Sequence, residues 1–331
     1  MGHRPTDPVG FDLLPAAAMR RTGESNRDLT LAAQPVLREL GRALAQTRYF
    51  AILTNEQGVV VDVNGPIDRS DRRADLITRI GVDLSEPSVG TTAISAALGE
   101  LAPVWLHRGE HFFDATSAYS CAGAPLLGPR GECVGMLDLT GIDVPERPEL
   151  KHLVVQSARA IENLLTLQQP HHLLLRVNWP GPPLGDDSDG LIGLDADGMV
   201  TTSNSAARAM VPQLLNPPPG GTRACHSSEL FAAPFESLFD ASHRAPRPLD
   251  IPLWSGLHVL ALALPAGAST AQSAQHAGWT APGTDPRRLR DIEAALIRNA
   301  VDEARGNVAL AAQRLGVSRA TVYRKLGLGR H

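Results

Sequence analysis

The chain has 331 residues, 43% of them hydrophobic and 20% charged, with a formal net charge of -4. That balance excludes a disordered or collagen-like chain and allows two or three globular domains. Three cysteines, Cys121, Cys133 and Cys225, are too few and too unevenly spaced for a disulfide scaffold, which points to a reducing compartment. No apolar run reaches the length of a membrane span and the first residues hold no signal-peptide core, so no membrane partner is expected. The charge is unevenly spread. From Asp285 onward there are ten Lys+Arg and five Asp+Glu, a net of +5, which leaves -9 on the rest. A basic tail on an acidic body fits a nucleic-acid-binding end joined to a body that does not bind it.

Residues 1–28 are rich in Pro, Arg and small residues and read as a mostly irregular arm with one turn of helix. From Leu29 to Thr47, Leu31, Val36, Leu37, Leu40 and Leu44 recur at helical intervals, so a helix leads into the first domain. Phe50 to Thr54 and Val59 to Val63 read as a strand pair around the turn Asn55-Glu56-Gln57-Gly58. Ala74 to Ile80 is a short helix. A small-residue helix follows Gly90, begun by a cap-competent threonine. Val104-Trp105-Leu106, Ser120 to Leu127 and Cys133 to Leu139 are strands, and Leu150 to Leu167 is a long amphipathic helix.

Strand pairs around glycine turns with helices before and after suggest an α+β sensor layout. The segments Ser88-Val89-Gly90-Thr91-Thr92-Ala93-Ile94, Gly109-Glu110-His111-Phe112, Ser120-Cys121-Ala122-Gly123-Ala124-Pro125, Gly135 to Gly141 and Ala160-Ile161-Glu162-Asn163 resemble the GAF domain of regulators of the acetoin-catabolism-activator type. The resemblance covers residues 29–168. It departs at Thr92, where the family usually has asparagine.

A second α+β unit is expected over residues 170–265. Gly190 to Leu194, the turn Asp195-Ala196-Asp197-Gly198 and Met199 to Ser203 form a hairpin. Asn204 to Leu215 reads as a helix, and Leu249 to Trp254 with Leu257 to Leu264 as another hairpin. The unit is similar to a PAS domain. Residues 266–284, rich in Ala, Ser, Thr, Gln, Gly and Pro, read as a flexible linker.

The stretch Gly306 to Leu326 reads as two short helices broken by a tight turn. Asn307 caps the first, Gly316 closes it, and Ser318 caps the second. This is a helix-turn-helix, whose second helix enters a DNA major groove. Arg319, Thr321, Arg324 and Lys325 would face outward with Tyr323 beside them, and arginine can read guanine with two hydrogen bonds. The bland alternative is an αα-hairpin with a solvated basic face. Gly306-Asn307, Ala311-Ala312, Leu315 to Arg319 and Thr321 to Leu326 resemble the Fis-type helix-turn-helix of bacterial enhancer-binding regulators, a likeness reaching back to Leu289 within a DNA-binding domain expected over residues 285–331. The expected architecture is therefore multi-domain α+β, a GAF and a PAS-like domain, followed by an all-α Fis-type helix-turn-helix.

Enhancer-binding regulators imply a central ATPase acting on sigma-54 polymerase, which needs a G-x-x-x-x-G-K-[ST] loop. The chain's only lysines, Lys151 and Lys325, follow no such loop, so no ATP hydrolysis is expected. No nucleophile–base pair stands out, so no enzyme is expected either. His107 and His111 lie four apart, but Gly109 between them favours a loop and no third ligand is evident. No metal or cofactor is expected. Trp105, Phe112, Phe113 and Tyr119 are either core or cavity lining, Cys121 an inert thiol or a ligand contact, and Asp138 a turn-bonding acid. Candidate effector contacts are Thr91, Trp105, His111, Tyr119 and Cys121.

The expected partners are double-stranded DNA, a small-molecule effector, a second copy in a homodimer and RNA polymerase, in a cytoplasmic, nucleoid-bound setting. Two-fold pairing would place recognition helices about 34 Å apart on one DNA face. Residues 150–167 and 289–305 are the candidate seams. The alternatives are a redox- or metal-cofactor sensor with DNA output, or front domains that only dimerise.

Overall fold

The computed structural model describes residues 4–215, 225–243 and 247–266, together with Val308. The expected linker beyond Ala266 and the helix-turn-helix lie outside the described residues, apart from Val308. By contacts the chain separates into Met1–Ala277 and Gly278–His331. The architecture below belongs to the first unit.

Two helices open the chain, α1 (Ala16–Ser25) and α2 (Arg27–Ala43). The ten-residue α1 is longer than the single turn expected of the arm. The first sheet comprises β1 (Tyr49–Asn55), β2 (Val60–Asn64), β3 (Val104–His107), β4 (Tyr119–Leu127) and β5 (Cys133–Ile142). Its order is β2-β1-β5-β4-β3, antiparallel throughout, with β5 at the centre. Three short helices, α3 (Arg72–Ile77), α4 (Glu86–Val89) and α5 (Ala93–Glu100), lie between β2 and β3, and the long α6 (Leu150–Leu167) follows β5.

Strand alternation sorts this sheet into two faces. Ala51, Leu53, Ala122, Ala124, Leu137 and Leu139 pack with α2 and α6. Phe50, Ile52, Tyr119, Cys121, Met136 and Ile142 pack with α3, α4 and α5 on the other face. The sheet is thus buried on both sides. Gly123 lets α5 come close, since a Cβ there would meet Met136 Cε at 2.7 Å and the Ala93 carbonyl at 3.2 Å.

The second sheet comprises β6 (Leu173–Asn178), β7 (Gly190–Leu194), β8 (Val200–Ser203), β9 (Leu249–Pro252) and β10 (His258–Pro265), in the antiparallel order β8-β7-β6-β10-β9. One face carries α7 (Ser205–Met210), α8 (Ser227–Leu230) and α9 (Phe235–Ser242). The central strand β6 is not among the elements expected from the sequence. Its run Leu173-Leu174-Leu175 is apolar on both faces, and without alternation such a run does not declare itself a strand. The helix expected from Asn204 to Leu215 breaks at Val211, and a 3-10 turn runs from Pro212 to Leu214, because proline cannot continue the α-helical bonding.

The same turn chemistry closes a hairpin in each sheet. Asn55 Oδ1 accepts from the amides of Gln57 and Val59, with Gly58 at φ +83°. Asp195 Oδ1 accepts from Asp197 and Met199, with Gly198 at φ +79°. Side-chain oxygens bonding two and four residues ahead, before a left-handed glycine, fix both turns.

Candidate functional site: a small cavity in the first domain

The cavity lies on the α3–α5 face of the first sheet. Ile52, Ile77, Val89 and Ile94 supply apolar wall; Thr92, His111, Thr116, Tyr119, Cys121, Asp138 and Thr140 also border the space, whose exposed surface is apolar. Phe11 closes one side. It belongs to the N-terminal segment, which is strapped across the domain: Leu14 N–H donates to Gly81 O, Asp83 N–H to Asp12 O, and the Arg79 guanidinium to Phe11 O. The cavity volume is about 30 Å³. One water needs roughly 10–15 Å³ on this measure, so the space has room for roughly two or three water-sized groups.

Two features of the local fold place His111. Arg108 adopts φ +50°, a left-handed conformation unfavourable for a residue with a side chain. That turn aims the Arg108 carbonyl at His111, where it accepts from both the backbone N–H (3.0 Å) and Nδ1 (2.9 Å). A carbonyl only accepts, so Nδ1 carries the proton and Nε2 of the neutral ring is an acceptor. Burial holds the His111 ring below the usual histidine range, which keeps it neutral. Its Nε2 is buried and has no hydrogen-bond partner among the described residues.

Asp138 sits on the central strand, opposite Ile52 on β1 and Gly123 on β4, and is 0% exposed. Thr140 donates its hydroxyl hydrogen to Asp138 Oδ2, and Cys121 Sγ lies 3.4 Å from Thr140 Oγ1. The Cys121 thiol also neighbours the Asp138 carboxyl as a hydrogen-bond partner. Asp138 Oδ1 is left without a partner among the described residues. Burial without a cation pushes the carboxyl up to about 7. The Cys121 thiol is raised well above its ordinary value, chiefly by burial, so it is a poor nucleophile.

Of the sequence-derived effector candidates, His111, Tyr119 and Cys121 line the cavity together. Tyr119 meets the His111 ring edge-on at 6.5 Å and donates its hydroxyl to Arg73 O. Thr91 is exposed and bonds Glu86 at 3.0 Å, away from the cavity. Trp105 points to the opposite face of the sheet, packs with the α2–α6 core and stacks on His107. Period-two alternation could have separated it from Val104 and Leu106, which face the cavity layer. Asp138 was read as a turn-bonding residue. The signal that marks it otherwise is an acid on the inward face of a strand whose neighbours are all buried. Thr92, at the family's asparagine position, caps α5: its Oγ1 accepts from Ser95 N–H while Ser95 Oγ accepts from Thr92 N–H. Gly90 just before it stands at φ +70° with the Phe113 ring where a Cβ would be.

A polar joint links the cavity domain to the second sheet. Glu162 on α6 accepts from Leu127 N–H at 2.8 Å and from the Ser205 hydroxyl. Asn204, the N-cap of α7, donates to Asn163 Oδ1 at 2.7 Å. Arg208, 3% exposed, donates to Ser203 O and reaches Gly128 O at 3.2 Å. Ser203 N–H donates to Pro129 O. The turn between β4 and β5, the two strands that carry Cys121, Asp138 and Thr140, is therefore gripped by the second domain. The apolar stripe of α6, one candidate dimer seam, is spent within the chain.

Among the described residues no cluster of His, Cys, Asp and Glu is arranged to hold a metal ion. No helix among them is long and apolar enough to cross a membrane. The candidate DNA contacts Asn307, Ser318, Arg319, Thr321, Tyr323, Arg324 and Lys325 lie outside the described residues.

Two family matches define the class. Residues 288–327 match the family described as Bacterial regulatory protein, Fis family, and residues 14–163 match the MimR N-terminal domain. The chain thus carries a segment like the MimR N-terminal domain followed by a segment like the Fis-type helix-turn-helix. It is 30% identical to the acetoin catabolism regulatory protein of Cupriavidus necator, over 69% of this chain and 34% of that one. It is 29% identical to MimR of Mycolicibacterium smegmatis, the propane 2-monooxygenase operon transcriptional activator, over 36% of this chain and 21% of that one. The chain spans about a third of the length of the first of these relatives and less of the second. The E. coli DhaR(N)–DhaL complex contains a chain aligned over 79% of this one and 95% of itself, at 13% identity and a TM-score of 0.47.

Proposed function

We propose that this protein is a sequence-specific DNA-binding transcription regulator that works without ATP hydrolysis, as a dimer, and whose first domain takes a small effector. The observation that carries this reading is the presence in one chain of a Fis-type helix-turn-helix match and a small apolar-walled cavity in the first domain. The absence of any lysine in a phosphate-cradling loop supports the non-ATPase part. Regulation then proceeds by occupying DNA, by recruiting RNA polymerase or by competing with a longer relative. The names of two relatives, regulators of acetoin and propane catabolism, suggest effectors of three or four carbons. An effector that binds one spacing of the two DNA-binding ends better than another shifts the population toward it.

The test is fluorescence anisotropy of the purified chain on labelled fragments from upstream of its own gene and its neighbours. Binding to one fragment in excess of shuffled DNA at moderate salt is expected. Failure to prefer any fragment, or release of phosphate from ATP, overturns the proposal.

A further inference from the structure

We propose that residues 4–25 form a cover that opens as one piece, hinged where α1 meets α2, and that its Phe11 ring is the plug past which a small molecule reaches the cavity. This rests on the reading of the cavity as an effector site and assigns that site its entrance.

The burial of the wall picks out the entrance. Among the described lining residues Phe11 alone is not buried; Ile52, Ile77, Val89, Cys121 and the rest are. The way in from solvent therefore runs past Phe11. The remaining wall is fixed. Ile52, Cys121 and Thr140 belong to strands of the sheet. The helix α5 is held on that sheet by the close approach at Gly123 and by the cap at Thr92.

The segment that carries Phe11 is built differently. No residue from Arg4 to Ser25 is buried, and α1 adds nothing to the core. Val9 and Phe11 are only partly buried against the apolar cluster of the cavity face. What fastens the segment is mainly backbone bonding. Asp114 N–H donates to Pro5 O at 2.9 Å, Asp83 N–H to Asp12 O at 3.0 Å and Leu14 N–H to Gly81 O at 2.9 Å, with the Arg79 guanidinium on Phe11 O. A stretch tied by a few peripheral hydrogen bonds and little apolar burial opens at far lower free energy than the domain unfolds. Firm attachment begins at Asn26, the first buried residue, and continues through Leu29, Ala32 and Ala33 of α2. That junction is the hinge. The closed space has room for only roughly two or three water-sized groups, so the effector proposed for it needs the cover to move.

Cys121 reports the opening, because its thiol lines the cavity and is buried while the cover is shut. Its labelling by iodoacetamide in the unaltered full chain is followed by mass spectrometry over a series of low urea concentrations. A local opening exposes little surface, so the rate should hardly change with urea, and the amides of Leu14 and Asp83 should exchange before those of β5. A lock gives the second arm. Leu13 and Val82 face each other as an antiparallel pair, flanked by the Leu14–Gly81 and Asp83–Asp12 bonds. A pair in that position has its Cα atoms about 4.5 Å apart, which suits a disulfide. In the chain carrying Leu13→Cys and Val82→Cys, Cys121 labelling should be about tenfold slower with the lock oxidised than reduced. Saturable shifts of the Ile52, Ile77 and Ile94 methyls with 2-butanone, expected in the unaltered and reduced chains, should vanish in the oxidised one. Phe11→Ala should speed Cys121 labelling and leave exchange at Leu14 and Asp83 as it was.

Labelling that climbs with urea as steeply as global unfolding, or equal rates in the oxidised and reduced lock, overturns the cover and leaves a closed effector cavity in place. No saturable shift with 2-butanone in the unaltered chain overturns the effector reading and the entrance with it. The urea series and that titration need no variant to fold.

Discussion

Asn204 donates to Asn163 Oδ1 at 2.7 Å, joining the cap of α7 in the second domain to α6 of the first. The same Asn204 accepts through Oδ1 from Ala207 and Leu191 N–H, so one amide serves a helix end, a sheet strand and the joint. Its neighbours Glu162 and Arg208 are buried beside it, and each makes one bond across the boundary, to Ser205 and Gly128 respectively. Buried polar groups of this kind hold geometry because any displacement leaves a desolvated atom unpaired.

Arg208→Ala should break that grip. The carbonyls of Gly128 and Ser203 lose their guanidinium donor, at a cost of about 2–4 kcal/mol. The expected calorimetric result is a lower transition temperature and a split into two transitions, as the two sheets cease to unfold together. Glu162→Gln, which keeps an acceptor for Leu127 N–H, should cost less and preserve a single transition.

Asp138 makes stability depend on pH. The folded carboxyl keeps its proton up to about pH 7, whereas the unfolded chain releases it near about pH 4. The folded form therefore binds more protons in that window, and stability is highest below it and falls as pH rises through it. Burial also raises Glu162 and Asp189, which act in the same direction, so the measurement is a difference from a variant. Urea unfolding of wild type and Asp138→Asn should show the gap shifting in favour of the variant by up to about 4 kcal/mol between about pH 4 and 8.

Phe11→Ala should enlarge the cavity without unfastening the strap. The strap's backbone bonds at Leu14, Asp83 and Phe11 O do not use the ring. For a partly buried phenylalanine the expected loss is about 1–2 kcal/mol, below the range for a fully buried one. Amide exchange at Leu14 and Asp83 should remain slow. Fast exchange there would mean that the ring, and not the backbone, holds the strap.

Arg319→Ala and Arg324→Ala should each weaken specific DNA binding by about 1–3 kcal/mol with no change in unfolding. Wild-type affinity for the preferred fragment in both variants would remove these residues from base reading.

Much of the fold is visible in local pattern. The turns at Asn55 and Asp195, the cap before α5 and the stripe on α6 are all short-range effects, set within four residues of one another. The strand β6 escaped because both its faces are buried, which erases the alternation that marks a strand. The helix α1 escaped because its sequence has no apolar stripe to bury, and indeed none of its residues is buried. The motif Ala160-Ile161-Glu162-Asn163 was legible as a family mark, but its work at the joint was not. Glu162 meets Leu127 35 residues away and Ser205 43 residues away.

Sequence alone determined the two α+β units, their turns and the basic helix-turn-helix, because periodicity, capping and side-chain length act over a turn or two of chain. Only the tertiary structure decided that Trp105 faces away from the cavity, that Phe11 closes it, and that His111 and Asp138 both border it with a buried polar atom left unpartnered. The physical reason is that a polar atom is unpartnered only after every distant neighbour has been placed. Arg208 reaching Gly128 across 80 residues is a pairing no local rule contains.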